Sequence, residues 1–283
     1  MKFVRYGLAG NERPGVIDAA GNIRDLSAYT DDINGAALAA GLIDKVASLN
    51  LEMLPLVSEN QRLGSPIAEP SKIVCIGLNY VDHALEGGRA IPDEPVLFMK
   101  STTSITGPND TILIPQNSIR TDWEIELGVV IAKDTHYVSE EHALSCVAGY
   151  VLANDISERD HQLRRGGEWT KGKSHDTFCP LGPWLVSQDE LGDASDISLQ
   201  LSVNNIQRQN GHTRDLIFSV AYSVSYISQF MTLRAGDIIL TGTPAGVGQS
   251  IKPDPVFLHA NDTMTMSATG LGQQTHVFAN YRG

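Results

Sequence analysis

Short apolar runs separated by polar or glycine-containing joints succeed one another from Lys72 to the end of the chain. Lys72–Gly77, Pro95–Lys100, Thr111–Ile114, Ile125–Ala132, Val147–Ala153, Ile197–Val203, Ile238–Leu240 and Thr263–Ala268 each have the length and composition of a strand. Two segments carry helical spacing instead. Ser139–Cys146 opens on a capping Ser with acids in its first turn. Thr213–Leu233 sets Leu216, Val220, Val224 and Ile227 on one stripe, with Thr213 as N-cap. Many strands with few helices between them do not make a regular βαβ alternation, which argues against Rossmann and TIM-barrel folds. The pattern predicts a β-rich α+β fold.

The first 70 residues read differently. Lys2–Leu8, Gly15–Asp18 and Asn22–Asp25 form a short β meander, Ile33–Ala47 is Ala/Leu-rich and helical, and Glu59–Ser71, with Gly64, Pro66 and Pro70, reads as a linker. The expected organisation is a small N-terminal β/α domain over 1–70 and a larger β domain over 71–283.

Charge narrows the function classes. Against 21 Lys and Arg stand 33 Asp and Glu, a net charge of −12 over 283 residues. Such a chain lacks the basic surface that neutralises phosphates or docks on anionic lipid, so nucleic acid and membrane are excluded as expected partners. No apolar run approaches the ~20 residues of a membrane span, and the N-terminus lacks the apolar core of a signal peptide. Cys75, Cys146 and Cys179 are widely spaced with no C-x-x-C, unlike a disulfide framework or a zinc ribbon. The expectation is a soluble cytoplasmic protein with three buried thiols.

Four stretches carry candidate chemistry. In Trp123-Glu124-Ile125-Glu126-Leu127, the two acids are two apart, so on a strand they share a face. A Glu-x-Glu pair is commonly a solvated face. Here the strand runs on as an unbroken apolar segment, as in strands covered on both sides, where adjacent carboxylates repel and are desolvated unless a cation relieves them. Asp155 ends another such strand. Three carboxylates without clustered His or Cys make a hard-oxygen set that suits Mg²⁺ or Mn²⁺ better than Zn²⁺. Spacing alone leaves the metal site and the plain strand face open.

The second stretch is Gly77–Glu86, where His83 and Glu86 stand at i and i+3 on a short helix. A carboxylate beside an imidazole suits a general base that activates water, although surface pairs of this kind are common. Third, Arg159, Arg164, Arg165, Lys171 and Lys173 crowd a segment containing Gly166 and Gly167, which reads as a basic lid over an anionic substrate or as a solvated loop. Fourth, Thr241–Gly248 is a glycine-rich loop without the Gly-Lys-Ser/Thr ending of a P-loop, so nucleotide binding is rejected. Carboxylate binding by its N–H groups and a structural turn both stay open. His161 and His175 lie in the basic segment and could line a pocket, with placement at the surface the expectation. His136, His142, His212, His259 and His276 have no partner at ligand spacing.

Taken in order, GLNYVDHALEGG, EPVLFMK, TDWEIELGVVIA, AGYVLANDISERDHQ, WTKGKSHDTFCPLGPW and GDIILTGTPAGVG resemble the fumarylacetoacetate hydrolase family over roughly residues 70–280. The resemblance implies a mixed β-roll, usually dimeric, with a tetramer left open. It implies Glu124, Glu126 and Asp155 as ligands of Mg²⁺ or Mn²⁺, with Ile76 where some members have a fourth carboxylate. His83 and Glu86 match the water-activating pair, and Lys173 the active-site lysine. Arg159 and Gln162 match residues that contact substrate or support the site, and Lys100 and Thr243 match pocket positions. The implied reaction is hydrolysis of a 2,4-dioxo acid to pyruvate and a carboxylic acid. Within the family, the chain resembles bacterial members acting on 2,4-diketo-3-deoxy sugar acids from fucose or rhamnose breakdown. A small anionic 2-oxo acid is thus the expected partner. Lyase or decarboxylase action on oxaloacetate or ureidoglycolate, isomerase action, and non-catalytic binding are the competing readings.

Overall fold

Two sheets share most of the apolar residues of the chain, whose computed structural model describes residues 1–282. The larger has nine strands, in the spatial order Ile23–Asp25, Arg13–Ile17, Lys2–Tyr6, Leu185–Ser187, Val147–Asn154, Ile125–Ile131, Ile238–Leu240, Ile73–Gly77 and Val96–Lys100. All neighbours are antiparallel except Ile238–Leu240 with Ile73–Gly77. The smaller has five strands, Ile206–His212, Ser198–Val203, Thr263–Ala268, Gly272–Asn280 and Ile112–Ile114.

The central strands explain the unbroken apolar runs. Ile125, Leu127, Val129 and Ile131 face the five-stranded sheet, sharing a core with Leu199, Leu201, Met264, Met266 and Phe278. Val130, on the other face, packs with Phe3, Val16, Leu26, Ile33 and Ile73. Strand Val147–Asn154 divides in the same way, with Tyr150 and Leu152 inward and Val151 and Ala153 on the opposite side. With both faces covered, period-two alternation of polar and apolar residues has no physical basis.

The eight strands expected after residue 72 are present with end shifts of at most one residue. Leu185–Ser187, Ile206–His212 and Gly272–Asn280 are strands that the apolar pattern missed. The expected helix over 213–233 is a 3₁₀ turn at Thr213–Asp215 followed by a helix at Val220–Ser228. Ser219 is its cap, accepting from the Tyr222 N–H at 3.1 Å, because Leu216 is held extended against Tyr80. Ile33–Ala47 contains two helices, Gly35–Ala39 and Leu42–Ala47, parted at Gly41 with φ of +78°. Sheet and core both run across residue 70, through the register Lys2↔Val186 and the packing of Phe3 and Val16 with Ile73 and Cys75. All three thiols are buried and unpaired, as expected. No helix among the described residues is long and apolar enough to cross a membrane.

Candidate active site

Period two and strand register together assemble the three acids. Glu126 lies opposite Ala153, and the Asp155 N–H donates to the Glu124 carbonyl at 2.9 Å, so Asp155 and Glu124 are cross-strand neighbours. All three are buried, and their carboxylate oxygens lie within 4.8 Å of one another. They stand at the end of the large sheet, on the face away from the five-stranded sheet.

Three buried cations meet them. Lys173 Nζ donates to Glu124 Oε2 at 2.7 Å and to Asp155 Oδ2 at 2.6 Å. Arg159 Nη1 reaches Glu124 Oε1 at 2.7 Å, and its Nε donates to Asp122 Oδ2 at 2.8 Å. Lys100 Nζ holds Asp155 Oδ1 at 2.7 Å, the Ile156 carbonyl, and the Lys173 carbonyl. Glu126 has no cationic partner; its Oε2 accepts only the Gly242 N–H, at 2.7 Å.

The protonation behaviour follows. Burial disfavours the Glu124 anion, but Lys173 and Arg159 outweigh it and hold this carboxyl below its ordinary range. For Glu126, burial and the charges of Asp155 and Glu124 act together and push its carboxyl well above that range. Burial likewise opposes the Lys173 ammonium, and Asp155 and Glu124 outweigh it. The donor set is therefore three carboxylates, of which Glu126 alone has no cationic partner. Such a set fits a hard divalent cation of the Mg²⁺ or Mn²⁺ type and offers nothing to a soft one.

Burial and the neighbouring carboxylates favour the protonated form of Glu126 in the cation-free protein, so a cation bound there would compete with that proton. Mg²⁺ affinity is expected to rise with pH above the usual carboxylate range, and binding to release a proton. Calorimetry in two buffers of different ionisation enthalpy measures that proton; heats independent of the buffer would contradict it. Lys173 gives a second prediction. Lys173→Met leaves Glu124 and Asp155 facing each other in a buried site, and should cost the chelator-treated protein ~3–5 kcal/mol of stability. Added Mg²⁺ should restore part of it, as thermal unfolding with and without the cation would read.

Glu124, Glu126, Lys173, Arg159, Gln162, His83 and Thr243 all line one cavity of about 120 Å³. The strand Ile73–Gly77 ends at Leu78, held at φ +58°, and the chain turns into the helix Val81–Glu86. There His83 Nδ1 meets Glu86 Oε1 at 2.9 Å, and the Gly246 N–H donates to Glu86 Oε2 at 3.0 Å. Glu86 is thus fixed from the glycine-rich loop and orients the imidazole. Gln162 Oε1 accepts from Arg159 Nη1 at 3.0 Å. Thr243 Oγ1 donates to the Ile125 carbonyl and accepts from Gln209 Nε2, both at 2.8 Å. Lys100 lies behind the acids, outside the lining, so its hydrogen bonds position Asp155 and the Lys173 backbone.

The basic segment meets the lid expectation only at its ends. Arg159 and Lys173 point into the site, whereas Arg164, Arg165 and Lys171 are exposed, and Arg165 pairs with Asp160. Between them Trp169 seats on the sheet: a Cβ on Gly77 would lie 2.7 Å from its ring, so only glycine admits it. The ring also meets Phe98 edge-on.

Sequence reasoning missed three supporting residues. Asp122 accepts from Trp123, Gly248 and Gln249 N–H groups at 2.7–3.0 Å besides binding Arg159. Its place two before Glu124, at the same period as Glu126, was the available signal. Gln209 clamps Ile125, Thr243 and Pro244, and Asn79 joins Phe218 to Thr241; neither has a sequence signature. Ile76 also lines the cavity.

A sheet edge that carries three buried carboxylates able to hold a divalent cation, with a buried lysine and an oriented imidazole beside them, is the architecture of an enzyme site. This chain belongs to the fumarylacetoacetate hydrolase family: the pattern of the fumarylacetoacetate (FAA) hydrolase C-terminal region matches residues 72–279. It is 50% identical over 282 residues to 2,4-didehydro-3-deoxy-L-rhamnonate hydrolase of Sphingomonas sp. (strain SKA58), covering 100% of this chain and 97% of that one. Its fold matches the fumarylacetoacetate hydrolase from psychrophilic Exiguobacterium antarcticum with TM-score 0.88 and 35% identity, over 99% of this chain and 100% of that chain. It also matches maleylpyruvate hydrolase from Sphingobium sp. SYK-6, solved with manganese(II) and pyruvate, with TM-score 0.81 and 27% identity over the whole of both chains.

Proposed function

We propose that this chain is a C–C bond hydrolase that splits a 2,4-dioxo acid, of the 2,4-didehydro-3-deoxy sugar acid class, into pyruvate and a carboxylic acid. The observation that carries the reading is one cavity walled by Glu124, Glu126, Lys173 and His83. The Sphingomonas relative supports the sugar-acid class, and the Sphingobium structure supports a pyruvate-forming reaction with a divalent cation. Glu124, Glu126 and Asp155 would hold Mg²⁺ or Mn²⁺. The bound cation supplies Lewis-acid polarisation of the 2-oxo acid end and charge stabilisation for the departing pyruvate enolate.

The chain's own groups supply the rest. His83, oriented by Glu86, takes the proton of the water that attacks the C4 carbonyl. The C3–C4 bond breaks and its electron pair stays with the pyruvate fragment. Lys173 faces that fragment and stabilises its developing charge, or returns a proton to C3. Arg159 and Gln162 bind the anionic end. Arg89, Gln249 and Ser250 line the same cavity and suit a hydroxylated acyl tail. Trp169 over Gly77 and Phe98 excludes water from that side.

A cytoplasmic homodimer completes the proposal. Three reduced, buried thiols suit a reducing compartment. The partly exposed ladder Phe218, Tyr222, Tyr226 and Phe230 supplies an apolar face for a second copy. The test is chelator-stripped protein returned to Mg²⁺ and given an acylpyruvate, with enolised diketone absorbance and pyruvate followed together. Metal-dependent, stoichiometric pyruvate is the expected result. Consumption of oxaloacetate with release of CO₂, and no pyruvate from the diketone, would move the chain to the lyases.

A further inference from the structure

A second cluster of ligating groups lies outside the cavity just described. His161 and His175, fourteen residues apart, come together with Nδ1 of the first 2.9 Å from Nε2 of the second. Glu158 Oε2 is 3.7 Å from the same His161 Nδ1, and the Asp160 carboxylate is within 4.8 Å of both Glu158 and His161 ligand atoms. The two imidazoles open onto a separate cavity of about 420 Å³ lined also by Leu113, Gln116 and Tyr281. We propose that Glu158, His161 and His175, with Asp160 as fourth donor, form a site for a divalent transition-metal ion of the zinc class. It is distinct from the three-carboxylate site and independent of the catalytic reading.

The spacing supports this. Four ligands ~2.0–2.1 Å from a tetrahedral ion lie roughly 3.4 Å from one another. Measured from His161 Nδ1, the separations of 2.9 Å to His175 and 3.7 Å to Glu158 lie on either side of that value; Glu158, Asp160 and His161 form one group within 4.8 Å, and His175 joins it through His161. The local structure presents the donors together. Glu158 caps the helix Arg159–Leu163 by accepting the His161 N–H at 2.6 Å, so a cap residue and the residue three further on share one side. His175 arrives just after the helix Thr170–Lys173.

Chemistry selects the ion. The two imidazoles face each other nitrogen to nitrogen, and burial and His161 both hold His175 below its ordinary pKa. Neutral imidazole is the form that binds metal. Two nitrogens and two carboxylates favour Zn²⁺, Co²⁺ or Ni²⁺, whereas the all-oxygen site of Glu124, Glu126 and Asp155 suits Mg²⁺. Asp160 is half-exposed and bound only to the exposed Arg165, so it is free to exchange partners. An ion here would tie together the two stems of the segment that carries Arg159, Gln162 and Lys173, and thereby hold those three side chains in the active site.

The test is equilibrium dialysis of full-length protein against Zn²⁺ in excess Mg²⁺, with bound metal counted. His161→Ala and His175→Ala are each expected to bind about one equivalent less Zn²⁺ than the parent protein. Glu126→Ala, which lacks the oxygen site, should keep that equivalent, and X-ray absorption of its bound zinc should show imidazole scattering. Zn²⁺ should also raise the Tm of Glu126→Ala. Equal zinc in the parent and both histidine variants would overturn the proposal. Should those variants fail to fold, Glu126→Ala decides alone, and zinc there without imidazole scattering, or no bound zinc, would reduce the pair to a hydrogen bond.

Discussion

Glu126→Ala is expected to lose Mg²⁺ binding and to cut pyruvate formation by at least ~10³-fold, the scale of several kcal/mol of transition-state stabilisation, while keeping its fold. Of the three clustered acids it alone lacks a cationic partner. Lys173 and Arg159 already neutralise Glu124, and Lys100 and Lys173 neutralise Asp155. The attraction for an added cation therefore centres on Glu126. The same imbalance gives a second readout. With its carboxyl pKa raised in the folded chain, Glu126 binds its proton more tightly when folded than when unfolded. It therefore weakens the cation-free protein as pH rises from the ordinary carboxylate range toward the raised value, and the penalty persists above it. Glu126→Gln should thus raise Tm in chelator at neutral pH and lower it relative to the parent in Mg²⁺. Calorimetric Mg²⁺ titration and thermal unfolding in both conditions measure this. Retained Mg²⁺-dependent turnover in Glu126→Ala would remove Glu126 from the ligand set.

His83→Ala should separate chemistry from cation binding, with a ~10²–10⁴-fold loss of hydrolysis, the usual contribution of a positioned general base. Its Mg²⁺ affinity should be unchanged, because no carboxylate of the cluster bonds to His83. Glu86 presents one oxygen to His83 Nδ1 and the other to the Gly246 N–H. That bond assigns the proton to Nδ1 and leaves Nε2 with the lone pair a general base needs. Glu86→Gln should accordingly give a smaller loss and a shifted pH profile rather than a change in cation affinity. Single-turnover pyruvate formation across pH, beside Mg²⁺ titration, reads both variants. Hydrolysis unaffected in His83→Ala would transfer water activation to another group.

The strand pattern and the candidate chemistry were largely legible along the chain. Where both faces of a strand are covered, an apolar run is conspicuous, and an acid inside it is costly enough to need a reason. That made Glu124, Glu126 and Asp155 visible at Ile125–Ile131 and Val147–Asn154. His83 and Glu86 were visible because three residues is nearly one helical turn. Polar strands were not: Ile206–His212, in IQRQNGH, and Gly272–Asn280 draw their stability from the ladder hydrogen bonds they make along Ser198–Val203 and Thr263–Ala268. Local composition does not record such partners.

What the sequence determined by itself is therefore the periodic part: which residues share a face, which runs must be buried, and which residue types stand ready for a cation and a water. Only the tertiary structure decided which strands are neighbours, because register between segments far apart in sequence depends on the packing of whole faces. That register put Asp155 beside Glu124 and continued the sheet from Lys2–Tyr6 into Leu185–Ser187. It also turned Lys100 from a pocket position into a support behind Asp155. The approach of His175 to His161 was settled in the same way, by the packing of two short helices that no spacing rule relates.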